Sequence, residues 1–222
     1  PYATGMRSPA GFGLDADGEL FYSDNQGDWV GSGRVTHVSK GDFVGYPQGL
    51  KWAQEEGSPV ELTFDMFADS MGTLYTQAMQ VEGIKEPTAW FPHGVMGIST
   101  SAILLDDTKG KFGPFENQMF IGDQGQSKIM RMQLEKVEGS YQAALFPFTE
   151  GFSSGVLRQA WGEDGTMFVG MTNRGWASTG RAPFGIQRLK YNGKTPFEMQ
   201  RIEARPDGFD IFFTQKIYPV TV

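Results

Sequence analysis

Cysteine is absent from the 222 residues, which excludes disulfides, thiolate metal sites, thiol nucleophiles and covalently attached c-type haem together. Long apolar runs are also missing. Pieces such as Ala102-Ile103-Leu104-Leu105 and Ile211-Phe212-Phe213 fall far short of the roughly 18–20 residues that span a bilayer, so a soluble chain with no transmembrane segment is expected. Clustered positive charge is the third absence. The 19 Lys and Arg are scattered and 26 Asp and Glu outweigh them to a net charge of −7, with a pI near 4.9. That balance disfavours nucleic acid and anionic membrane surfaces and suits a neutral or cationic small partner. There is no Gly-x-Gly-x-x-Gly after a strand, no Gly-Lys-Ser/Thr loop, no Gly-x-Ser-x-Gly elbow and no His-Glu-x-x-His, which disfavours nucleotide-dependent chemistry. Paired carboxylates for glycoside hydrolysis are a matter of geometry and stay open. The start at Pro1-Tyr2-Ala3 has no initiator methionine, charged n-region or apolar h-region, the pattern expected of a processed protein or a fragment.

What is abundant is turn chemistry. Thirty glycines, 12 prolines, 14% aromatics and only 20% charged residues describe an all-β, turn-rich chain and not a helical bundle. Three segments read alike as strand, turn, strand: Gly13 to Asp24 around Asp17-Gly18, Ala160 to Met171 around Asp164-Gly165, and, with a longer turn, Ile103 to Asp123. Asp-Gly supplies the positive-φ position of a tight hairpin between alternating apolar residues. Phe21, Phe120 and Phe168 are 99 and 48 residues apart, so the period is about 48 to 49 with one copy degenerate, the length of a large four-stranded propeller blade. The expected fold is therefore a β-propeller of about four blades; a sandwich with coincidental Asp-Gly hairpins is the alternative.

The expected organisation is a propeller over residues 1–193, with an insertion or lid around 45–92. Within it, Thr63 to Met71 could form a short helix. Residues 194–222 would be a β-hairpin, alternating from Phe197 to Glu203 and turning at Pro206-Asp207-Gly208, that starts a C-terminal β domain or acts as a closing element.

In an up-and-down blade, the loop entering strand 1 and the loop leaving strand 2 lie on one face. Sorting the Gly-rich loops this way gathers Arg7, Ser8, Asn25, Gln26, Gly27, Asp28, His93, Ser99, Asp123, Gln124, Arg158, Asn173 and Arg174. The guanidiniums of Arg7, Arg158 and Arg174 would suit a multiply carboxylated planar molecule through bidentate pairing, or would tie neighbouring blades together. Asp24, Asp28 and Asp123 either bind Ca²⁺ through oxygen or cap loop backbone as Asx turns. His93, in a Gly-flanked loop, is the candidate general base. His37 reads as a strand residue. Trp29 and Trp176 follow equivalent loops and read as repeated packing, and the dispersed Met residues as core filler.

At these loops the chain resembles the glucose/sorbosone dehydrogenase family of quinoprotein β-propellers. The residues are Gly5-Met6-Arg7-Ser8-Pro9-Ala10-Gly11, Asp24-Asn25-Gln26-Gly27-Asp28 and Lys40-Gly41-Asp42-Phe43-Val44-Gly45-Tyr46-Pro47, beside family patterns Gly-His-Arg-Asn-Pro-x-Gly, a Glu-x-Gly-Pro-like loop and Gly-x-Asn-Tyr-Gly-Trp-Pro. It looks especially like the large secreted, often cytochrome-fused branch, which carries segments like Pro92-His93-Gly94 through Ser101 and Thr172-Asn173-Arg174-Gly175-Trp176. The resemblance implies a six-bladed propeller that binds pyrroloquinoline quinone (PQQ) and Ca²⁺ and oxidises a sugar or alcohol. An external electron acceptor such as a cytochrome and a periplasmic or secreted location are implied with it. By motif, Arg7 corresponds to the arginine that pairs with the quinone carboxylates, and Gly27 and Asp28 to the pair whose carbonyls hold Ca²⁺. Ser8, Met6 and Asp28 stand where the family has Asn, His and Pro. The family's catalytic histidine lies in a blade upstream of anything in this chain. The resulting expectation places Arg7, Ser8, Asn25, Arg158, Asn173 and Arg174 at the cofactor, Gly27, Asp28 and Asp123 at the metal, and His93 as catalytic. Two other readings stand beside it: a non-catalytic propeller that docks a protein partner in a larger assembly, and a Ca²⁺-dependent lactonase-type hydrolase.

Overall fold

Each Asp-Gly segment folds as the hairpin its residues dictate. The computed structural model describes residues 2–67 and 73–218. In it β1 (Pro9–Leu14) and β2 (Leu20–Asp24) pair antiparallel around a turn in which Gly18 takes φ +84°. The Asp15 carboxylate accepts from the backbone N–H of Asp17 and Glu19 at 2.9 and 2.8 Å, an Asx cap that fixes the turn. β3 (Gly33–His37) and the short β4 (Ala89–Phe91) complete a sheet in the order β1-β2-β3-β4.

Between β3 and β4 the chain makes an excursion with its own small core of Phe43, Leu50, Ala53, Val60 and Phe67. Among its described residues it carries one α-helix, α1 (Leu74–Gln80), N-capped by Thr73. The helix expected over Thr63 to Met71 is a 3-10 turn at Phe64–Met66, and positions 68–71 of it lie outside the described residues. This excursion corrects the repeat arithmetic. Among the described residues, the 99 positions from Phe21 to Phe120 hold one sheet's repeat plus its excursion, and no sheet of a degenerate second copy.

The second sheet runs β5 (Thr100–Leu105), β6 (Met119–Asp123), β7 (Lys128–Val137) and β8 (Ser140–Glu150). The third has β9 (Val156–Trp161), β10 (Met167–Thr172) and β11 (Phe184–Leu189), with β10 in the middle. The first strands of the sheets lie beside one another, β1 against β5 and β5 against β9, the propeller arrangement.

The cores lie in the seams between sheets. Phe21, Val35, Ala89 and Phe91 of the first sheet meet Ile103, Met119, Ile121, Met130 and Met132 of the second. Phe120 and Ile129 meet Val156, Met167, Val169 and Met171 of the third. Met119-Phe120-Ile121 is thus an unbroken apolar run because the middle sheet is buried on both faces, Met119 and Ile121 in one seam and Phe120 in the other. Each fully buried Phe or Ile contributes about 1.5–3 kcal/mol, so the seams hold the stack together.

The hairpin of β12 (Met199–Arg205) and β13 (Gly208–Phe213) returns to the second sheet. Arg131, itself fully buried, donates to the carbonyls of Met199 and Gln200, each at 2.7 Å, and is covered by the rings of Phe115 and Phe146 at 4.1 and 4.2 Å. Two and four residues further along β7, Gln133 and Glu135 accept from the backbone N–H of Ile202 and Ala204 at 3.1 and 3.0 Å. Side chains at alternate positions of β7 therefore satisfy one edge of β12.

Candidate functional site

The site is built by carboxylates that end second strands. Asp24, at the end of β2 and fully buried, accepts through Oδ1 from Ser8 N at 2.6 Å and Asn25 N at 3.0 Å. Through Oδ2 it accepts from Arg7 N and Arg34 Nη2, both at 2.9 Å, and from Tyr22 Oη at 3.4 Å. Arg34, also fully buried, donates in addition to the carbonyls of Val44 and Gly5. Burial pushes the Tyr22 phenol well above its ordinary range. One carboxylate thus binds the loop entering strand 1 to the loop leaving strand 2.

Asp123, at the end of β6, repeats the device: Oδ2 accepts from Ile98 N and Ser99 N at 2.8 and 2.7 Å, and Oδ1 from Gln126 N at 2.6 Å. In the third sheet the corresponding strand end is Thr172, whose hydroxyl accepts from Arg174 N at 3.0 Å. Loops from all three sheets then surround a cleft of about 360 Å³ lined by Arg7, Ser8, Asn25, Gln26, Ser99, Gln124, Arg174, Gly175 and Trp176.

The chemistry of this lining is specific. Arg7 lies over Gly27, where an added Cβ would stand 2.3 Å from its Nε and 3.0 Å from its Cζ; glycine makes that packing available. Among the described residues no carboxylate comes within 4.0 Å of the Arg7 or Arg174 guanidinium. Asn25 Oδ1 and Gln26 Oε1 are buried acceptors with no partner among the described residues, the state of groups that meet water or a ligand donor. Two cations without counter-ions beside buried acceptors suit a ligand that is both carboxylated and hydrogen-bond donating.

Four of the expected cofactor residues, Arg7, Ser8, Asn25 and Arg174, come together here. Two do not. Arg158 Nη1 donates to the carbonyls of Ala10 and Leu157, each at 2.8 Å, tying the third sheet to the first, and Asn173 Nδ2 reaches the Arg181 carbonyl at 3.4 Å. His93 is exposed in the turn that Val95 N and Met96 N close on the Pro92 carbonyl, outside the cleft lining.

Two of the three expected metal residues, Gly27 and Asp123, bond to backbone N–H groups. Asp123 is engaged by three N–H groups, the Gly27 carbonyl accepts from Val30 N at 3.0 Å, and Asp28 is exposed. No three His, Asp or Glu residues among those described gather where an ion could sit, so the Asx-capping reading is the one the geometry supports for Asp24 and Asp123. Trp176 corrects another expectation. It is 57% exposed at the cleft and is no interblade packing residue. The pairing of Asp24 with Arg34 ten residues on was missed, because Arg34 in an alternating run gives no signal that it is buried.

No family model matches the sequence, and no curated protein matches it. Two solved structures are similar in fold. An oxidoreductase assigned as a glucose dehydrogenase, from Thermus thermophilus, aligns with a TM-score of 0.52 and 18% identity over 85% of this chain and 46% of its own. The PQQ-bound form of an aldose sugar dehydrogenase from Streptomyces coelicolor aligns with a TM-score of 0.50 and 19% identity over 85% of this chain and 45% of its own. The chain spans about half the length of the solved structures it matches. At these identities the likeness is one of architecture: the chain carries the β-propeller fold of these sugar dehydrogenases.

Proposed function

We propose that this chain is the propeller portion of a PQQ-dependent sugar or alcohol dehydrogenase-like protein, and that the cleft of the three sheets seats the cofactor. The observation that carries the reading is the pairing of two uncompensated guanidiniums, Arg7 and Arg174, with the buried acceptors Asn25 Oδ1 and Gln26 Oε1 in one cleft. A planar tricarboxylate with a ring N–H presents the complementary set. The chemistry such a cofactor supplies when bound is two-electron oxidation of an alcohol or hemiacetal carbon. The roles of this chain's residues are to bind and orient: Arg7 and Arg174 hold carboxylates, Asn25 and Gln26 accept hydrogen bonds, and Trp176 covers an exposed side of the cleft. The described residues lining it include no His, Asp, Glu, Lys or Tyr, so the group that takes the substrate proton comes from outside that lining. No three His, Asp or Glu side chains among the described residues gather at one point, and no role is routed through Ca²⁺. An external electron acceptor and a periplasmic or secreted location belong to the same reading.

The test is titration of the purified chain with PQQ, followed by calorimetry, with Arg7→Ala and Arg174→Ala alongside, and aldose oxidation assayed with an artificial electron acceptor. Each charge-assisted pair is worth about 1.5–3 kcal/mol, so each variant should bind PQQ roughly ten- to a hundredfold more weakly. A folded chain that binds no PQQ would overturn the proposal and favour the non-catalytic docking reading.

A further inference from the structure

The first strands of the three sheets share one irregularity at one level. Against β2, Pro9 pairs with Asp24 and Gly11 with Ser23, which leaves Ala10 over. Against β6, Thr100 pairs with Asp123 and Ile103 with Ile121, so that Ser101 and Ala102 stand against Gly122 alone. Against β10, Val156 pairs with Met171 and Arg158 with Gly170, and Leu157 is left over. An extra residue of this kind bends its strand, takes a backbone carbonyl out of the ladder and re-aims the side chain that follows. Ala10 and Ser101 come two residues after Ser8 and Ser99 of the cleft lining, so the bulges lie at the level just beneath the cleft.

The groups freed at the bulges stitch the sheets together. The Ser101 carbonyl accepts from Ser23 Oγ of the first sheet at 2.6 Å, and Ser101 Oγ donates to the Val156 carbonyl of the third at 2.7 Å. Gly11 allows this approach, since a Cβ there would stand 2.2 Å from the Ser101 carbonyl oxygen. Those ties join neighbours. The first and third sheets are not neighbours, because β1 lies against β5 and β5 against β9. Here the bulge at Leu157 matters. Val156 and Val169, the partner of Gln159, are buried in the seam with the second sheet, whereas Arg158, next to Gln159, is turned to the other face and is exposed. From there Arg158 Nη1 donates to the carbonyls of two bulges, its own at Leu157 and that of β1 at Ala10, each at 2.8 Å. Among the described residues it is the one side-chain hydrogen bond between the first and third sheets. Three sheets tied pairwise form a closed triangle, whereas two seams in a row leave the outer pair free to spread.

We propose that Arg158 is a positioning residue that sets the width of the cleft, holding the wall that carries Arg7 at a fixed distance from the wall that carries Arg174. A ligand that must reach both guanidiniums then meets them already in place, which spares the cost of ordering the walls on binding. What the cleft holds rests on the PQQ reading; the strut does not.

The absence of cysteine lets two introduced thiols carry the only spin labels. Asp28→Cys and Ala177→Cys, exposed positions in the loops of the first and third sheets, are labelled in the otherwise wild-type chain, in Arg158→Met and in Arg158→Lys. Pulsed dipolar electron spin resonance then reads the distance between the labels. The distribution is expected to be narrow in wild type, broader and centred at a longer distance in Arg158→Met, which has no donor, and narrowed again in Arg158→Lys, which keeps one. Circular dichroism should not change, because the side chain is exposed and outside both cores. Calorimetric titration with PQQ should show about tenfold weaker binding by Arg158→Met, with recovery in Arg158→Lys. An Arg158→Met distribution identical to wild type would overturn the strut. A changed distribution with unchanged PQQ affinity would overturn its part in ligand binding. A wild type that binds no PQQ, with the distribution still widened in Arg158→Met, would remove the cofactor reading and leave the strut standing.

Discussion

Asp24→Asn is the sharpest test of how the site is held. Oδ2 of Asp24 takes donors from Arg7 N, Arg34 and Tyr22, and Oδ1 takes them from Ser8 N and Asn25 N. An amide has one oxygen and one NH₂ group, so either orientation sets a donor against donors, and Arg34, wholly buried, loses its counter-charge. Breaking a buried pair from one side costs about 3–5 kcal/mol, a large part of the roughly 5–15 kcal/mol that holds an ordinary domain. Asp123→Asn provides the control. Its oxygen can stay with Ile98 N and Ser99 N, only Gln126 N is left without an acceptor, and no buried cation is stranded; the cost is about 1–3 kcal/mol. Urea unfolding of both variants, compared at equal m-values, should place Asp24→Asn lower by about 2 kcal/mol. An Asp24→Asn chain as stable as Asp123→Asn would refute the view that the Arg34 pair anchors the cleft.

Gly27→Ala places a methyl 2.3 Å from Arg7 Nε and should lower PQQ affinity about tenfold while urea stability changes by under ~1 kcal/mol; calorimetry and urea unfolding on one preparation check this. Burial pushes the Asp106 carboxyl above 3.8 against the pull of its Thr108 bonds. A raised folded pKa gives stability that is fully present below the unfolded value and is lost as pH rises through the folded one. Asp106→Asn should therefore flatten the stability profile just above the ordinary carboxylate range, as read by unfolding at a series of pH values. Arg131→Met removes the donors that hold β12, and hydrogen exchange should show the Ile202 and Ala204 amides losing protection before those of β6 do; equal loss in both would mean that the hairpin is not a separately anchored unit.

Much of the architecture was legible because two signals carry long-range information. The Asp-Gly pairs mark hairpins whose flanking residues alternate, and the spacing of Phe120 and Phe168 marks the repeat of one sheet to the next. The stretch between β3 and β4, where an insertion around 45–92 is expected inside a degenerate copy, forms no further sheet among the described residues; a spacing of 99 residues equals about two periods, and arithmetic cannot tell a degenerate blade from an inserted loop. At the site, placing the loops on one face puts Arg7, Ser8, Asn25 and Arg174 near one another, as they are in the cleft, since that follows from strand reversal. Arg158 and Asn173 share those loops yet bond to nearby carbonyls, a choice that depends on rotamer and distance. Arg34 stayed hidden because its partners, the carboxylate of Asp24 and the carbonyls of Gly5 and Val44, come from three separate segments.

The Asp24 and Asp123 carboxylates grip main-chain N–H groups at Arg7, Ser8, Ile98 and Ser99, and every amino acid except proline offers that group. The rim of the cleft is thereby uncoupled from the identities of the side chains it displays. Serine can stand at position 8, where related motifs have asparagine, without the backbone beneath it moving, and another polar residue could be exchanged at 99 on the same footing. Two of the three walls are in this sense a fixed frame with interchangeable faces. The third, tied through the Thr172 hydroxyl, is the wall whose path depends on its own sequence.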